Sequence, residues 1–356
     1  MRYPQLLAAL WAQAHADRTA DAPTVVSTFA GCGGSSLGYA MAGYRELLAV
    51  EWDKHAGDVF SRNFPDVPLH LGDIHAVDPA RIGLAQGELD LFDGSPPCQG
   101  FSTSGKRQID DPRNQLFRQY VRLLRAWMPK TFVMENVASM AQGRMIPLFQ
   151  EILGELRACG YKVIARVLDA SYLGAPQARK RMIIIGVRND LPFLPVHPRP
   201  SLPRRTVRDA FEGLPRDDPQ APRPGGKLGR LTARIPQGRR GADVLKNTGL
   251  KASYYNTIRL HWDQPSRTIC KLWAPGRAGE LYPDQERYVG VRELSRLQGF
   301  PDEFDWGRPA PGRPYHRWYA DVHARIGNSV PPLMSYAIAS TLRTAVLEPA
   351  RSKEAA

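Results

Sequence analysis

From residue 25 to about 187, short apolar runs alternate with stretches of helical period. VVSTF (25–29), LLAV (47–50), LDLF (89–92), TFVM (131–134), VIARVL (163–168) and MIIIGV (182–187) have the length and composition of buried strands. Between them, NQLFRQYVRLLRAW and MIPLFQEILGELRACG repeat apolar residues at helical spacing. Strands alternating with helices predict an α/β fold, a doubly wound and mostly parallel sheet with helices on both faces. The last two strands are joined by a turn-rich link without an obvious helix, which predicts an antiparallel strand at one edge.

The pattern then changes. Residues 189–240 hold ten prolines, ten arginines and one lysine against five acidic residues, which is no sheet core. This reads either as a disordered linker or as a small irregular module with a basic surface. The following LKNTGLKASYYNTIRLHWDQPSRTICKLW, rich in aromatic and β-branched residues, favours the ordered module. Helical signals return at VRELSRLQGF (291–300) and VPPLMSYAIASTLRTAVLE (330–348). The opening MRYPQLLAALWAQAHADR reads as a short amphipathic helix and not as a signal peptide.

Composition adds a partner. The formal net charge is +13, which points to a polyanion, and nucleic acid fits better than a membrane surface because no long basic amphipathic helix is present. No apolar run approaches the roughly 20 residues that cross a bilayer. Four scattered cysteines, none in a CxxC pair, suggest neither zinc nor a disulfide framework, and a reducing cytoplasm is the expected setting.

The chemistry gathers at strand ends. After the first strand come Gly31, Gly33, Gly34 and Gly38, where missing side chains permit a tight turn and close approach of a ligand. The spacing is not G-x-G-x-x-G, and a plain structural turn is the alternative. The second strand ends in Glu51, placed to bind ribose hydroxyls, beside Trp52 with a flat face for an adenine ring. Asp73, after the presumed third strand, stands where it would accept from an adenine amino group. Together they predict an adenosine-containing cofactor, with no Walker lysine to suggest a nucleoside triphosphate.

The fourth strand runs into DGSPPCQGFS, where Pro96 and Pro97 stiffen the turn before Cys98. A free cysteine is ordinarily a small buried hydrophobe. Here Lys106 and Arg107 follow in a polar loop, which fits a lid beside a nucleophile. Glu135 and Asn136 end the fifth strand on the same edge, and a carboxylate there suits contact with substrate better than activation of a thiol. Arg179 and Arg181 alternate, so both are expected on one side, facing an anionic or carbonyl-bearing ligand.

The ordered series FAGCGG, SPPCQGFS, ENV, QARKR, RELSRLQGFPDEF and IGNSVPP resembles the C5-cytosine DNA methyltransferases from about residue 25 to 345. The resemblance implies the fold of S-adenosylmethionine-dependent methyltransferases, with a catalytic, cofactor-binding domain over 25–188 and 322–348. A small target-recognition domain and hinge would span 189–321, an N-terminal extension 1–24 and a tail 349–356. It implies S-adenosyl-L-methionine as cofactor and S-adenosyl-L-homocysteine as product. Phe29, Ala30, the glycine loop, Leu37, Glu51, Trp52, Asp73, Ile74, Pro97, Leu116, Asn328, Ser329 and Val330 would hold that cofactor. Cys98 would attack C6 of a flipped-out cytosine, Glu135 would steady N3, and Arg179 and Arg181 would lie on the O2 and phosphate side. Ser102, Ser104, Lys106 and Arg107 would touch DNA.

The implied partner is duplex DNA, possessing a specific target, with a cognate restriction endonuclease as a further partner and a monomer acting in the bacterial cytoplasm or nucleoid. Three other readings compete. One is a tRNA cytosine-5 methyltransferase, against which no Cys-Phe-Thr signature stands in the recognition region. A catalytically silent DNA-binding homologue is opposed by the intact Cys98, Glu135 and arginines. An NAD-dependent enzyme leaves the cysteine loop unexplained.

Overall fold

The computed structural model describes residues 1–97, 114–200, 203–245, 256–275 and 278–354. The chain divides into two compact units. The sheet unit comprises Gln13–Asp169, Lys180–Pro200 and Met334–Ala356, and the second unit Met1–Ala12, Ala170–Arg179 and Ser201–Leu333.

In the sheet unit, β1 (Thr24–Thr28), β2 (Arg45–Glu51), β3 (Leu69–Leu71), β4 (Leu91–Gly94) and β5 (Thr131–Val137) run parallel. The strand β8 (Lys180–Arg188) runs antiparallel to β5 and to the edge strand β6 (Tyr161–Asp169). The order is β3-β2-β1-β4-β5-β8-β6. The antiparallel pair thus stands at one edge, its strands joined by a short link that holds a single 3-10 turn and no crossover helix.

The crossover helices are α2 (Gly34–Met41), α3 (Lys54–Asn63), α4 (Asn114–Trp127) and α5 (Ile146–Ala158). The core owes much to aromatic packing: Phe92 of β4 stacks on Tyr120 of α4 at 4.5 Å and meets Trp127 edge-on at 5.1 Å. Burying each such ring stabilises the fold by about 1.5–3 kcal/mol. The chain winds from β1 outward to β3 and then returns to β4 on the other side of β1. Crossovers are right-handed, so this reversal opens a crevice beyond the carboxyl ends of β1 and β4. The glycine loop leaves β1 there, and residues 95–97 leave β4 there.

The second unit contains the amino-terminal part of α1 (Tyr3–Ala14) and the short strand β7 (Gln177–Ala178). Further along are α6 (Val207–Phe211), α7 (Gly226–Thr232), α8 (Gly241–Leu245), β9 (Asn256–Arg259), β10 (Ser266–Arg267), β11 (Ala278–Leu281), α9 (Val291–Gln298) and α10 (Tyr315–Asn328). Residues 203–240 of the Pro- and Arg-rich stretch lie in this unit, residues 189–200 in the sheet unit, and several of the second unit's arginines point inward instead of decorating a basic surface. Arg259 donates to the carbonyls of Ile235, Tyr282, Gln285 and Thr232. Arg287 makes a bidentate pair with Glu293 at 2.7 and 2.8 Å and lies over the Tyr282 ring. A module with little regular structure leaves carbonyls unpaired, and the five N–H donors of arginine satisfy them. Among the described residues no helix is long and apolar enough to cross a membrane.

Candidate active site

The crevice edge begins with backbone strain. Phe29 takes φ 58°, a left-handed conformation that costs a residue with a side chain on the order of 1–3 kcal/mol. Gly31 (φ 59°) and Gly33 (φ 93°) follow. A Cβ on Gly33 would lie 2.4 Å from the Phe64 ring, so glycine is required there by space as well as by φ. A Cβ on Gly31 would meet nothing within 4 Å, which leaves its backbone open to a ligand. Ala30 donates its N–H to Val50 at 3.0 Å, and Gly34 opens α2.

Glu51 holds this loop. Its Oε2 accepts from the Gly31 N–H and its Oε1 from the Asp53 N–H, each at 2.7 Å. A carboxylate offers about four lone pairs, so about two remain for a ligand's hydroxyls. Trp52 is 78% exposed at the mouth of the same strand. Asp73 accepts at Oδ1 from the His75 N–H at 3.0 Å and from the ring Nδ1 at 2.6 Å. The His75 backbone bond, seconded by its ring, holds the Asp73 carboxyl below the usual range, so it stays an acceptor.

Leu37 is fully buried inside α2 and Ile74 is 4% exposed in the sheet core. Both side chains thus pack within the sheet unit. Phe29 and Leu116 are partly buried against the same core, and Pro97 is half-buried.

At the other lip, the two halves of ENV serve opposite faces of β5, as strand alternation dictates. Glu135 forms an ion pair with Arg181 Nε at 2.7 Å, with both side chains largely buried. Asn136 donates Nδ2–H to the Pro96 carbonyl at 3.0 Å and so braces the proline pair that follows β4. Cys98, Ser102, Ser104, Lys106 and Arg107 lie outside the described residues.

Arg179 departs from the alternation argument. It is 2% exposed, and its guanidinium donates to the carbonyls of Ile269 at 3.0 Å and Gly327 at 2.8 Å, all within the second unit. β7 ends at Ala178 and β8 begins at Lys180, so the two arginines do not share one strand and period 2 does not apply to them. Arg179 instead holds the IGNSV turn, which Gln298 also grips through the Ser329 carbonyl at 2.6 Å. Gln177 donates to Gln298 Oε1 at 2.6 Å and accepts from the Ile269 N–H at 3.1 Å. Asn328 is exposed at the end of α10, Ser329 caps that helix by donating to Arg325, and Val330 is half-buried. The role of Gln298 was missed. Its signal was an amide on the buried side of a strongly amphipathic helix.

The sheet order, the crevice and the loops that meet at its lip define an S-adenosylmethionine-type methyltransferase fold. Comparison with known proteins agrees. The C-5 cytosine-specific DNA methylase family matches residues 24–344, and the chain belongs to that family. It is a DNA (cytosine-5-)-methyltransferase. The type II methyltransferase M1.HphI of Haemophilus parahaemolyticus is 32% identical over 338 residues, covering 90% of this chain and 86% of that protein. M.NgoPII of Neisseria gonorrhoeae is 30% identical over 350 residues, covering 90% and 95%. Among solved structures, a candidate DNA modification methyltransferase from an Escherichia coli prophage superposes with a TM-score of 0.68 at 26% identity, covering 91% and 99%. A DNMT2 variant of Spodoptera frugiperda, covering 90% of this chain and 99% of that one with a TM-score of 0.62 at 19% identity, shares the fold.

Proposed function

We propose that this enzyme modifies cytosine within a specific duplex DNA sequence, that Cys98 is its nucleophile and that S-adenosylmethionine is its methyl donor. The observation that carries the reading is the pairing of lips at one crevice: a glycine loop anchored by Glu51 after β1, and the pair Pro96 and Pro97 braced by Asn136 after β4, immediately before Cys98 in the sequence.

The residues present fit the donor. Open space over Gly31, the free lone pairs of Glu51 and the exposed face of Trp52 suit an adenosine group, with Asp73 as a further acceptor. When bound, the donor supplies a methyl group on a sulfonium, an electrophile that needs a carbon nucleophile. C5 of cytosine is a poor one. Cys98 remedies this by losing its proton and bonding to C6, which pushes electron density to C5. After methylation, loss of the C5 proton expels the Cys98 sulfur and restores the aromatic ring. Glu135, held in orientation by Arg181, steadies N3 while the ring is saturated. The target atom is inaccessible inside a duplex, so the base is flipped out, and Ser102, Ser104, Lys106 and Arg107 act on the DNA around it. The second unit reads the target, its free arginines contacting phosphates and guanine edges. The protein works as a monomer in a bacterial cytoplasm beside a cognate restriction endonuclease.

Transfer of labelled methyl from S-adenosylmethionine to duplex DNA, with bisulfite sequencing to locate the product, tests this. Cys98→Ser is expected to abolish turnover while cofactor binding persists. Normal activity in that variant ends the covalent mechanism, and transfer to tRNA alone ends the DNA reading.

A further inference from the structure

Asp93 is a carboxyl that the mechanism above does not use. It lies on β4, is 3% exposed, and accepts at Oδ1 from the Tyr39 hydroxyl of α2 at 2.8 Å, Tyr39 itself being 1% exposed. Its neighbours in the strand, Phe92 and Gly94, face Tyr120 of α4, so alternation turns Asp93 to the opposite face, where α2 packs. The Asp93 carbonyl also accepts from Thr28 Oγ1 of β1 at 3.1 Å. One residue thus joins three elements: the strand before the glycine loop, the helix after it, and the strand that precedes Cys98 in the sequence. A leucine and a phenylalanine would fill the same space without burying a carboxyl, so the polar contact serves register more than stability.

We propose that Asp93 is a positioning residue for methyl transfer, fixing the strand that delivers Cys98 against the helix that carries the cofactor loop through its hydrogen bond with Tyr39. The proposal rests on the reading of Cys98 as nucleophile and of the glycine loop as cofactor site. Among the described residues, the ionisable groups interacting with Asp93 are Tyr39 of α2, Glu46 of β2, Tyr120 of α4 and Glu135 of β5, and none of them is a cation. Burial first, and the Glu135 charge after it, push the carboxyl up to about 7, against hydrogen bonds from Tyr39 and Ser35. A neutral carboxyl keeps a negative charge away from the base of a strand whose next task is to present a thiolate.

The test compares wild type, Asp93→Asn, Asp93→Ala and Tyr39→Phe in single-turnover methyl transfer, with Cys98→Ser in parallel and circular dichroism to confirm folding. Losing the buried bond is expected to slow transfer about tenfold in Asp93→Ala and Tyr39→Phe. Asparagine imitates the neutral carboxyl, so the ratio of Asp93→Asn to wild-type rate should rise several-fold as the pH rises from about 6 to about 8. Taking the ratio cancels the titration of Cys98, and a residue that merely supports the fold would leave it flat. If Asp93→Ala fails to fold, Asp93→Asn alone decides. A flat ratio with an inactive Cys98→Ser overturns the proposal by itself. An active Cys98→Ser overturns the reading beneath it.

Discussion

Glu51 spends its charge on backbone. By accepting the Gly31 and Asp53 N–H groups it ties the glycine loop to the start of α3, and only its remaining lone pairs face outward. Arg179 does the same with carbonyls. Buried charged groups in this chain are builders of loops as much as reagents. Asp93 makes the cost measurable. Its folded pKa, pushed up to about 7, exceeds the roughly 3.9 of an unfolded aspartate, so the folded state holds a proton that the unfolded chain has lost. Its contribution is complete below about pH 4, declines as the pH rises to about 7 and is gone above it. Asp93→Asn is therefore expected to raise the midpoint of thermal unfolding at about pH 8 and to leave it nearly unchanged at about pH 4. An equal shift at both, read by calorimetry, would contradict a buried, proton-bearing carboxyl.

At the scale of elements, the sheet is fitted to aromatic side chains that glycine makes room for. Gly186 of β8 stands opposite Phe132 of β5, and a Cβ there would lie 2.0 Å from the ring. Phe132 is fully buried among Tyr120 and Tyr161 and has nowhere to turn. Gly186→Ala should lose about 1–3 kcal/mol or more, as overpacking of a core does, visible as a lower urea midpoint. A wild-type midpoint would contradict the β5–β8 register. Elements were also the level most legible beforehand, because strand and helix periods are local. LLAV, TFVM and MIIIGV each fall within a strand, and VVSTF does so up to Thr28, with Phe29 already in the left-handed turn. Alternation does not run through QARKR, because β7 ends at Ala178 and pairs with β10 far along the chain, while β8 starts at Lys180.

For the molecule as a whole, charge is the readable quantity. A chain at +13 is expected to hold DNA through phosphates, and binding to duplex should weaken linearly in log–log against salt, by about a thousandfold between about 50 and 200 mM for roughly six phosphate contacts. Salt-insensitive binding, measured by anisotropy on a labelled duplex, would show that the charge serves the interior instead. Some of it does, since Arg179, Arg259, Arg287 and Arg296 are each no more than 6% exposed.

By itself, the sequence determined the α/β winding, the strand ends that carry Gly31, Glu51, Asp73 and Glu135, and the family, because periodicity and ordered motifs are properties of neighbours along the chain. Only the tertiary structure decided which charges are spent inside. That Arg179 grips Ile269 and Gly327, that Asn136 braces Pro96 and that Tyr39 meets Asp93 depends on desolvation and on partners brought together by folding, which no local pattern encodes.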